Sequence, residues 1–327
     1  MNLHNNQKTF QQAIQYTADQ LRISPLFIEK DYWVTYSLYK ISNSEVGKDT
    51  IFKGGTALSK CYKLIERFSE DIDLVVMRRE GESDNKLKAK LKNIGSIVSE
   101  YLPEVPVDGL TIKMGMNRKT AHHYEKVFRG NFGQARDVIV LETTWLGYYE
   151  PYSLHSVSSL IGEILLANGQ SDLAELYGLL PFDFQVLDPK RTFCEKIMSL
   201  VRFSHISENP IEALKHKIRH TYDLYMMLTN QELRNFFDSS YFSEMLIKVA
   251  NDDLKSFRNN NEWLNIHPCD ALIFSQTENI WPELSSVYEG SFKHLVYGIL
   301  PPSDKILDML LVLRNRLREI EWPTIKI

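Results

Sequence analysis

Cysteine is scarce in this chain of 327 residues. The three cysteines, Cys61, Cys194 and Cys269, are an odd number at wide spacing, and no CxxC pair or Cys/His cluster accompanies them. This pattern excludes a disulfide-stabilised scaffold and is typical of a reducing compartment, so we expect the protein to be cytoplasmic.

The chain also lacks a strong excess of one charge and any long hydrophobic run. Its 38 Lys and Arg against 42 Asp and Glu give a formal net charge of −4, which excludes nucleic-acid binding by overall charge alone but leaves room for a local basic groove. No run reaches the ~18 apolar residues that a membrane span requires, and the polar N-terminus lacks the pattern of a secretory signal. We therefore expect no membrane partner.

What is present is the composition of an ordinary globular protein, with 43% hydrophobic and 24% charged residues. The length favours about two domains. Periodicity predicts, in chain order, one or two helices within residues 9–42, a strand at 50–53, a helix at 57–65, a strand at 69–76, a basic helix at 83–101, a weak hairpin within 110–133 and a strand at 138–145.

Beyond Pro181 the pattern is helical nearly to the end of the chain. The pairs Asp188-Pro189 and Asn209-Pro210 predict two helix starts, because each combines a capping side chain with proline at the first helical position. We expect helices near 189–204 and 210–229, and an amphipathic helix at 307–320. The lysines crowded into residues 86–92 are either a solvated helix face or a contact for phosphates.

Two aspartates are the first candidate for chemistry. Asp71 and Asp73 are separated by one residue in a predicted strand, so both side chains point to the same face, about 6–7 Å apart along the backbone. Such a pair is either a surface accident or a site where a divalent cation offsets the repulsion, and oxygen ligands suit Mg²⁺ or Mn²⁺. Glu142, in the middle of the 138–145 strand, is the candidate for a third metal-binding carboxylate.

A glycine turn precedes the acid pair. Lys53-Gly54-Gly55-Thr56 joins an apolar strand to a helix, where backbone N–H groups can approach a phosphate, although two glycines alone also fit a plain tight turn. A P-loop is excluded, because Ser59 stands where its glycine should precede Lys60. An aspartyl-phosphatase is also excluded, because the apolar run follows the acids here.

Three strings carry a resemblance to a known family: EKDYW at residues 29–33, FKGGTALSK at 52–60 and RFSEDIDL at 67–74. They resemble the AbiEii/AbiGii nucleotidyltransferase toxins of the polymerase-beta-like superfamily. The resemblance implies an α+β fold, with a mixed-sheet nucleotidyltransferase core and N-terminal helices in residues 1–180. A helical domain in residues 181–327 would complete the active-site cleft.

The resemblance also implies partners and cofactors. Members that have been studied use a nucleoside triphosphate and Mg²⁺, some modify RNA, notably the acceptor end of tRNA, and many are paired with an antitoxin. On this basis Asp71 and Asp73 are catalytic and hold the metal. Lys53, Gly54, Gly55, Thr56 and Ser69 then bind the nucleotide, although Ser69 fits a strand cap equally well.

The helical part supplies two further candidates. Lys196 lies beside the apolar stripe of its predicted helix, where it either extends to solvent or neutralises triphosphate oxygens. Asp223 either pairs with Arg219 four residues earlier or reaches the active site. The resemblance of EKI at 195–197 and RHTYDLY at 219–225 to family motifs favours the catalytic role for both.

The sequence thus predicts an Mg²⁺-dependent nucleotidyltransferase, the toxin of a toxin–antitoxin pair, that moves a nucleotide from a nucleoside triphosphate to an acceptor such as tRNA. Two alternatives stay open. One is a nucleotide- or RNA-binding module without catalysis, and the other is a nucleotidyltransferase that modifies a protein or a small molecule.

Overall fold

The computed structural model describes residues 1–69, 71–130, 135–146, 149–205, 208–257 and 260–323. The chain divides into two compact units. The first comprises Met1–Lys63, Arg67–Trp145 and Tyr152–Leu187, and the second comprises Leu64–Glu66, Leu146–Pro151 and Asp188–Ile327.

The first unit is a mixed sheet with helices. Its helices are α1 (Gln7–Leu21), α2 (Pro25–Ser42), α3 (Gly54–Lys60), α4 (Asp84–Ser99), α5 (Leu160–Ala167) and α6 (Ser171–Leu176). Its strands are β1 (Thr50–Lys53), β2 (Asp71–Val76), β3 (Glu104–Val105), β4 (Ile112–Lys113), β5 (Asn117–His122), β6 (Ile139–Thr144), β7 (Tyr152–Val157) and β8 (Phe182–Leu187).

The strand order is β3-β5-β6-β2-β1-β8-β7, with β4 paired to β5. The β2–β6 and β1–β8 pairs are parallel and the remaining pairs are antiparallel. The prediction of an α+β fold with a mixed sheet, flanking helices and a helical C-terminal part is therefore confirmed.

The main core of the first unit covers one face of this sheet. Ile72 and Leu74 of β2 and Leu141 of β6 belong to it, together with apolar side chains of α1, α2 and α4. The middle helix of this layer, α2, is buried along most of its length. It begins where the sequence predicts, because the Ser24 hydroxyl accepts a hydrogen bond from the Leu26 N–H and Pro25 occupies the first turn.

The second unit contains α7 (Pro189–Phe203), α8 (Pro210–Lys215), α9 (Ile218–Thr229), α10 (Gln231–Phe237), α11 (Ser240–Ser256), α12 (Leu272–Ser275), α13 (Thr277–Glu289) and α14 (Ser303–Arg318). The predicted caps hold, since Asp188 accepts from the Lys190 N–H and Asn209 from the Glu212 N–H. No helix in the described ranges is long and apolar enough to cross a membrane.

Three predictions of local structure are wrong. The helix expected at 57–65 ends at Lys60, and Lys63 has the left-handed backbone angle φ of 53°, which an α-helix does not tolerate. The helix expected at 210–229 is two helices, because the chain makes a tight turn at His216 and Lys217. Residues 182–187, expected to lie in the helical part, form β8, in which buried Phe184 and Val186 alternate with polar neighbours.

Candidate active site

The glycine turn lies between β1 and α3, and its conformation requires glycine. Gly54 has φ of +80°, which L-residues rarely adopt. A Cβ atom there would lie 2.2 Å from Oδ2 of Asp73. A Cβ at Gly55 would meet Arg67 Nη2 at 2.8 Å and Ser69 Oγ at 2.9 Å. The turn therefore packs directly against the Asp73 carboxylate, as the spacing of the two motifs predicts.

Asp71 and Asp73 share one face of β2. They alternate with buried Ile72 and Leu74, whose side chains point into the main core on the other face. In register with Asp73 are Lys53 on β1 and Glu142 on β6. Glu142 is in turn opposite Lys119 of β5. A row of charged side chains thus crosses four neighbouring strands, with the two adjacent acids Asp73 and Glu142 between Lys53 and Lys119.

The Asp71 and Asp73 carboxylates lie in an environment that disfavours their negative charges. Desolvation by the surrounding protein, followed by the negative charges of Glu142 and Asp71, raises the pKa of Asp73 to about 7. Oδ1 of Asp71 is buried and accepts a hydrogen bond from no described residue. Arg136 Nη1 lies 3.6 Å from that oxygen, which is an ion pair at the distance limit. Both carboxylates would gain from a cation.

The acid pair fits a divalent metal ion. One oxygen of Asp71 lacks a hydrogen bond from a described residue, and the pKa of Asp73 is raised because its charged form is disfavoured. Carboxylate oxygens are the hard donors that Mg²⁺ and Mn²⁺ prefer. Within the described residues, no three His, Cys, Asp or Glu side chains are grouped to hold a metal. Glu142 instead bonds to Lys119 Nζ at 2.8 Å, so a role as third ligand requires it to leave that lysine.

Thr56 and Ser69 connect the glycine turn to β2. The Thr56 hydroxyl lies 2.6 Å from the carbonyl oxygen of Asp71 and 3.0 Å from the Ser69 hydroxyl. Thr56 is buried, whereas Ser69 is only half-buried. Both hydroxyls are predicted to bind the nucleotide. The Thr56 hydroxyl is bonded to the start of β2, whereas the half-buried Ser69 hydroxyl lies beside the glycine turn.

Lys196 and Asp223 belong to the second unit, on α7 and α9. Their side chains form a buried ion pair with an Nζ to Oδ2 distance of 2.6 Å. Lys196 therefore does not extend to solvent, and Asp223 has a partner other than the expected Arg219. Burial, followed by the charge of Lys196, lowers the pKa of nearby His220 well below its ordinary range, so this imidazole is neutral.

Sequence reasoning missed the roles of several polar residues. In the EKDYW string, the Glu29 carboxylate accepts from the backbone N–H groups of Val127 and Phe128, at 2.6 and 3.0 Å. Lys30 Nζ donates to the carbonyl of Arg136. Their partners lie about a hundred residues away, so no local pattern could reveal them. The string still indicates that such partners exist, because charged side chains inside an otherwise apolar helix need hydrogen-bond or ion-pair partners.

Asp31 completes this group of anchoring side chains on α2. Its two oxygens accept from Lys60 Nζ at 2.5 Å and from the Leu160 N–H at 2.8 Å. Lys60 also donates to the Thr35 hydroxyl and the Ser158 carbonyl. The lysine at the end of the FKGGTALSK string is therefore structural.

The crowded lysines of α4 are not all a solvated face. Lys90 bonds to Glu82 at 2.6 Å and to Asp49 at 2.8 Å, whereas Lys86 and Lys92 are exposed. The paired Lys90 belongs to the scaffold of the first unit. A phosphate contact for the exposed lysines stays a prediction.

Comparison with protein families defines the class and then the family. Residues 36–306 match the model of the nucleotidyl transferase AbiEii toxin of type IV toxin–antitoxin systems, which is a class of nucleotidyltransferases. Since the match spans most of the chain, the protein belongs to the AbiEii toxin family. The resemblance drawn from the three sequence strings is thereby confirmed.

The chain was also compared with curated proteins and with solved structures. No curated protein matches the chain. Among solved structures, MenT4, a nucleotidyltransferase toxin from Mycobacterium tuberculosis H37Rv, is similar with 15% sequence identity and a TM-score of 0.47. The alignment covers 92% of this chain and 99% of MenT4.

Proposed function

We propose that this toxin is an Mg²⁺-dependent nucleotidyltransferase that transfers a nucleoside monophosphate from a nucleoside triphosphate to RNA, with tRNA as the first candidate acceptor. The observation that supports the proposal best is the Asp71–Asp73 pair. One oxygen is buried without a hydrogen bond from a described residue, and one carboxyl has its pKa raised to about 7. The choice of RNA rests on the family resemblance.

In this proposal Asp71 and Asp73 hold the divalent ion, with Glu142 as the candidate third ligand. A bound Mg²⁺ would supply positive charge to the triphosphate and to the transition state of phosphoryl transfer. The turn at Gly54 and Gly55 packs against Asp73 and Ser69, and its backbone N–H groups are the candidate donors to phosphate oxygens. Lys53 and Ser69 contribute a cation and a hydroxyl at the same turn, and Thr56 keeps β2 in place beneath it.

Lys196 and Asp223 form the second catalytic group of the proposal. In the proposal the ammonium of Lys196 offsets the charge of the triphosphate, and Asp223, its ion-pair partner at 2.6 Å, orients the nucleotide or the acceptor. The acceptor hydroxyl forms a bond to the α-phosphorus, the bond from that phosphorus to the pyrophosphate oxygen breaks, and pyrophosphate leaves with the electron pair. The hydroxyl proton passes to water. Catalysis is therefore positioning and charge stabilisation.

We also propose that an antitoxin opposes the activity, as the type IV family implies, and that the toxin acts in the cytoplasm, where RNA and nucleoside triphosphates occur together.

The test is transfer of label from α-labelled nucleoside triphosphates to total RNA in the presence of Mg²⁺. We expect label on RNA with the natural protein, and a loss of about a thousandfold in Asp71→Ala, because metal coordination supplies several kcal/mol of transition-state stabilisation. Asp108→Ala, which removes an exposed acid elsewhere in the first unit, serves as the matched control.

Three outcomes separate the alternatives. Full transfer by a folded Asp71→Ala protein refutes the assignment of the metal site. Tight nucleotide binding without any labelled product indicates a binding module. Label on protein or on small molecules, with RNA unlabelled, refutes RNA as the acceptor while retaining the chemistry.

A further inference from the structure

A large cavity of about 1030 Å³ opens in the first unit, away from the acid pair. The residues of its wall that matter here are Phe10, Trp33, Tyr101, Tyr124, Lys126 and Arg129. Phe10, Trp33 and Tyr124 belong to the core that covers one face of the sheet, with Ile72 and Leu74. Asp71 and Asp73 alternate with those two residues and so face the other side. The cavity, here called the aromatic cavity, is a separate site.

The wall of the aromatic cavity is built of rings. The Trp33 ring centroid lies 6.1 Å from that of Phe10 and 6.2 Å from that of Tyr124. Tyr101 is 43% exposed, so part of its ring is open to a ligand. An exposed ring face of this kind binds flat, aromatic groups, and stacking on it tolerates any base.

One polar atom in this wall is buried and unsatisfied. Trp33 is only 8% exposed, and its indole Nε1–H meets no acceptor among the described residues. A buried N–H without an acceptor is costly, and most such groups are paired. A ligand that carries an acceptor in or beside an aromatic ring would satisfy it once the side chains that cover this nitrogen move aside.

The mouth of the cavity carries charge. Lys126 and Arg129 are cationic and Glu125 is anionic. Lys126 bonds to Asp137 at 3.1 Å, but Asp137 is 68% exposed, and an exposed partner of this kind is readily exchanged for a phosphate oxygen. Because Glu125 and Asp137 offset part of the charge of the two cations, the mouth suits a single phosphate better than a triphosphate.

The cavity is preformed by anchoring contacts. The Glu29 carboxylate, one helical turn before Trp33 on α2, accepts from the backbone N–H groups of Val127 and Phe128. The His122 imidazole contacts the Leu102 carbonyl, and the His123 N–H donates to that of Pro103. The charged mouth is therefore held at a fixed position relative to the aromatic wall.

We propose that the aromatic cavity binds one nucleotide unit, with the base stacked on Tyr101 beside the edge of Trp33 and a single phosphate at Lys126 and Arg129. The volume lies at the upper end of that of small-molecule sites, about 300–1,000 Å³. The nucleotide comes either from a free nucleoside monophosphate or from a single-stranded RNA. The site goes beyond the proposed transfer reaction and does not depend on it.

The test is calorimetric titration with adenosine 5′-monophosphate and, separately, with a single-stranded oligoadenylate. The full-length Asp71→Ala protein is used, with a chelator and no divalent metal, so that failure of the transfer proposal cannot affect the result. We expect Arg129→Gln to weaken binding about tenfold, as loss of one charged phosphate contact does. Trp33→Phe, which keeps a ring but lacks the N–H, should weaken binding several-fold.

The control is Lys92→Met, which removes an exposed cation from α4, outside this cavity. Tighter binding of the oligoadenylate, lost in the same variants, identifies RNA as the source, whereas equal affinities identify the free nucleotide. The proposal is overturned if neither probe binds at millimolar concentration. It is also overturned if Arg129→Gln and Lys92→Met bind alike, a comparison that stands even if Trp33→Phe fails to fold.

Discussion

Two groups of acidic side chains in the first unit differ in how their oxygens are paired. On α2, Glu29 accepts two backbone N–H groups, and Asp31 accepts from Lys60 and from the Leu160 N–H. On β2, Oδ1 of Asp71 is buried without a hydrogen bond from a described residue, and Asp73 has its pKa raised to about 7 by burial and by neighbouring acids.

The difference separates a structural motif from a candidate functional one, although both stand in strings that resemble the same family. Burying a charge is unfavourable unless it is paired and hydrogen-bonded. The α2 acids satisfy this condition within the protein and so contribute to folding. On β2, one oxygen of Asp71 lacks a hydrogen bond from a described residue and Asp73 lies beside two other acids, so an external cation would stabilise both carboxylates. Exposure separates the two groups in the same direction, since Glu29 and Asp31 are buried and Asp71 and Asp73 are half-buried.

The largest expected effect on stability is at the paired group. Lys60→Met should lower the free energy of unfolding by about 3–5 kcal/mol, because it leaves Asp31 buried without its ammonium partner. Asp71→Asn should leave that free energy unchanged or raise it, since it removes like-charge repulsion and leaves an amide of the same shape. Denaturant unfolding of both variants measures the contrast.

The double variant Lys60→Met with Asp31→Asn is the control for this prediction. Removing both charges should recover part of the lost stability, because the unpaired carboxylate is then absent. If Asp71→Asn destabilised the protein as much as Lys60→Met, the α2 and β2 acids would not differ in their contribution to stability.

A smaller effect is expected at the glycine turn. Gly54→Ala and Gly81→Ala both place a side chain at positive φ, +80° and +74°, so each should lose roughly 1–3 kcal/mol. Only Gly54→Ala also drives a Cβ to 2.2 Å from the Asp73 carboxylate, whereas a Cβ at Gly81 meets nothing within 4 Å. We expect Gly54→Ala alone to abolish nucleotide transfer, measured with the labelled-RNA assay at matched folded fractions. Equal activity of the two variants would show that the turn does not position Asp73.

The sequence predicts the parts of this fold that depend on local physics. The caps at Ser24, Asp188 and Asn209 are short-range contacts between a side chain and a nearby N–H. The shared face of Asp71 and Asp73 follows from the period of a strand. The sequence also predicts that Glu142 lies on a strand, because residues 138–145 have the composition typical of a strand.

Contacts between distant segments could not be predicted. Lys196 and Asp223 are separated by 27 residues on two helices, and only packing brings them together. The partners of Glu29 lie 98 and 99 residues away. Strand β8 was missed because its six residues follow Pro181 and precede a clear helix start, although buried Phe184 and Val186 alternate with polar residues.

A further expected effect is a dependence of stability on pH that arises from Asp73. Its pKa is 3.8 in an ordinary environment and about 7 in the folded protein. Between these values the folded state binds the extra proton, so the stability that this carboxyl contributes is fully present below pH 3.8 and is lost as the pH rises through about 7. The α2 acids Glu29 and Asp31 are unchanged in Asp73→Asn, so any difference in slope belongs to the β2 group.

We therefore expect the natural protein to lose stability relative to Asp73→Asn between pH 5 and pH 8, as measured by thermal unfolding at both values without metal. Added Mg²⁺ should raise the melting temperature of the natural protein more at pH 8 than at pH 5, because the ion competes with the proton for the same carboxylate. It should have little effect on Asp73→Asn. If the dependence of stability on pH were the same in both proteins, Asp73 would be ionised and solvated like an ordinary surface acid. The β2 acids would then not differ from the α2 acids in how the protein accommodates their charge.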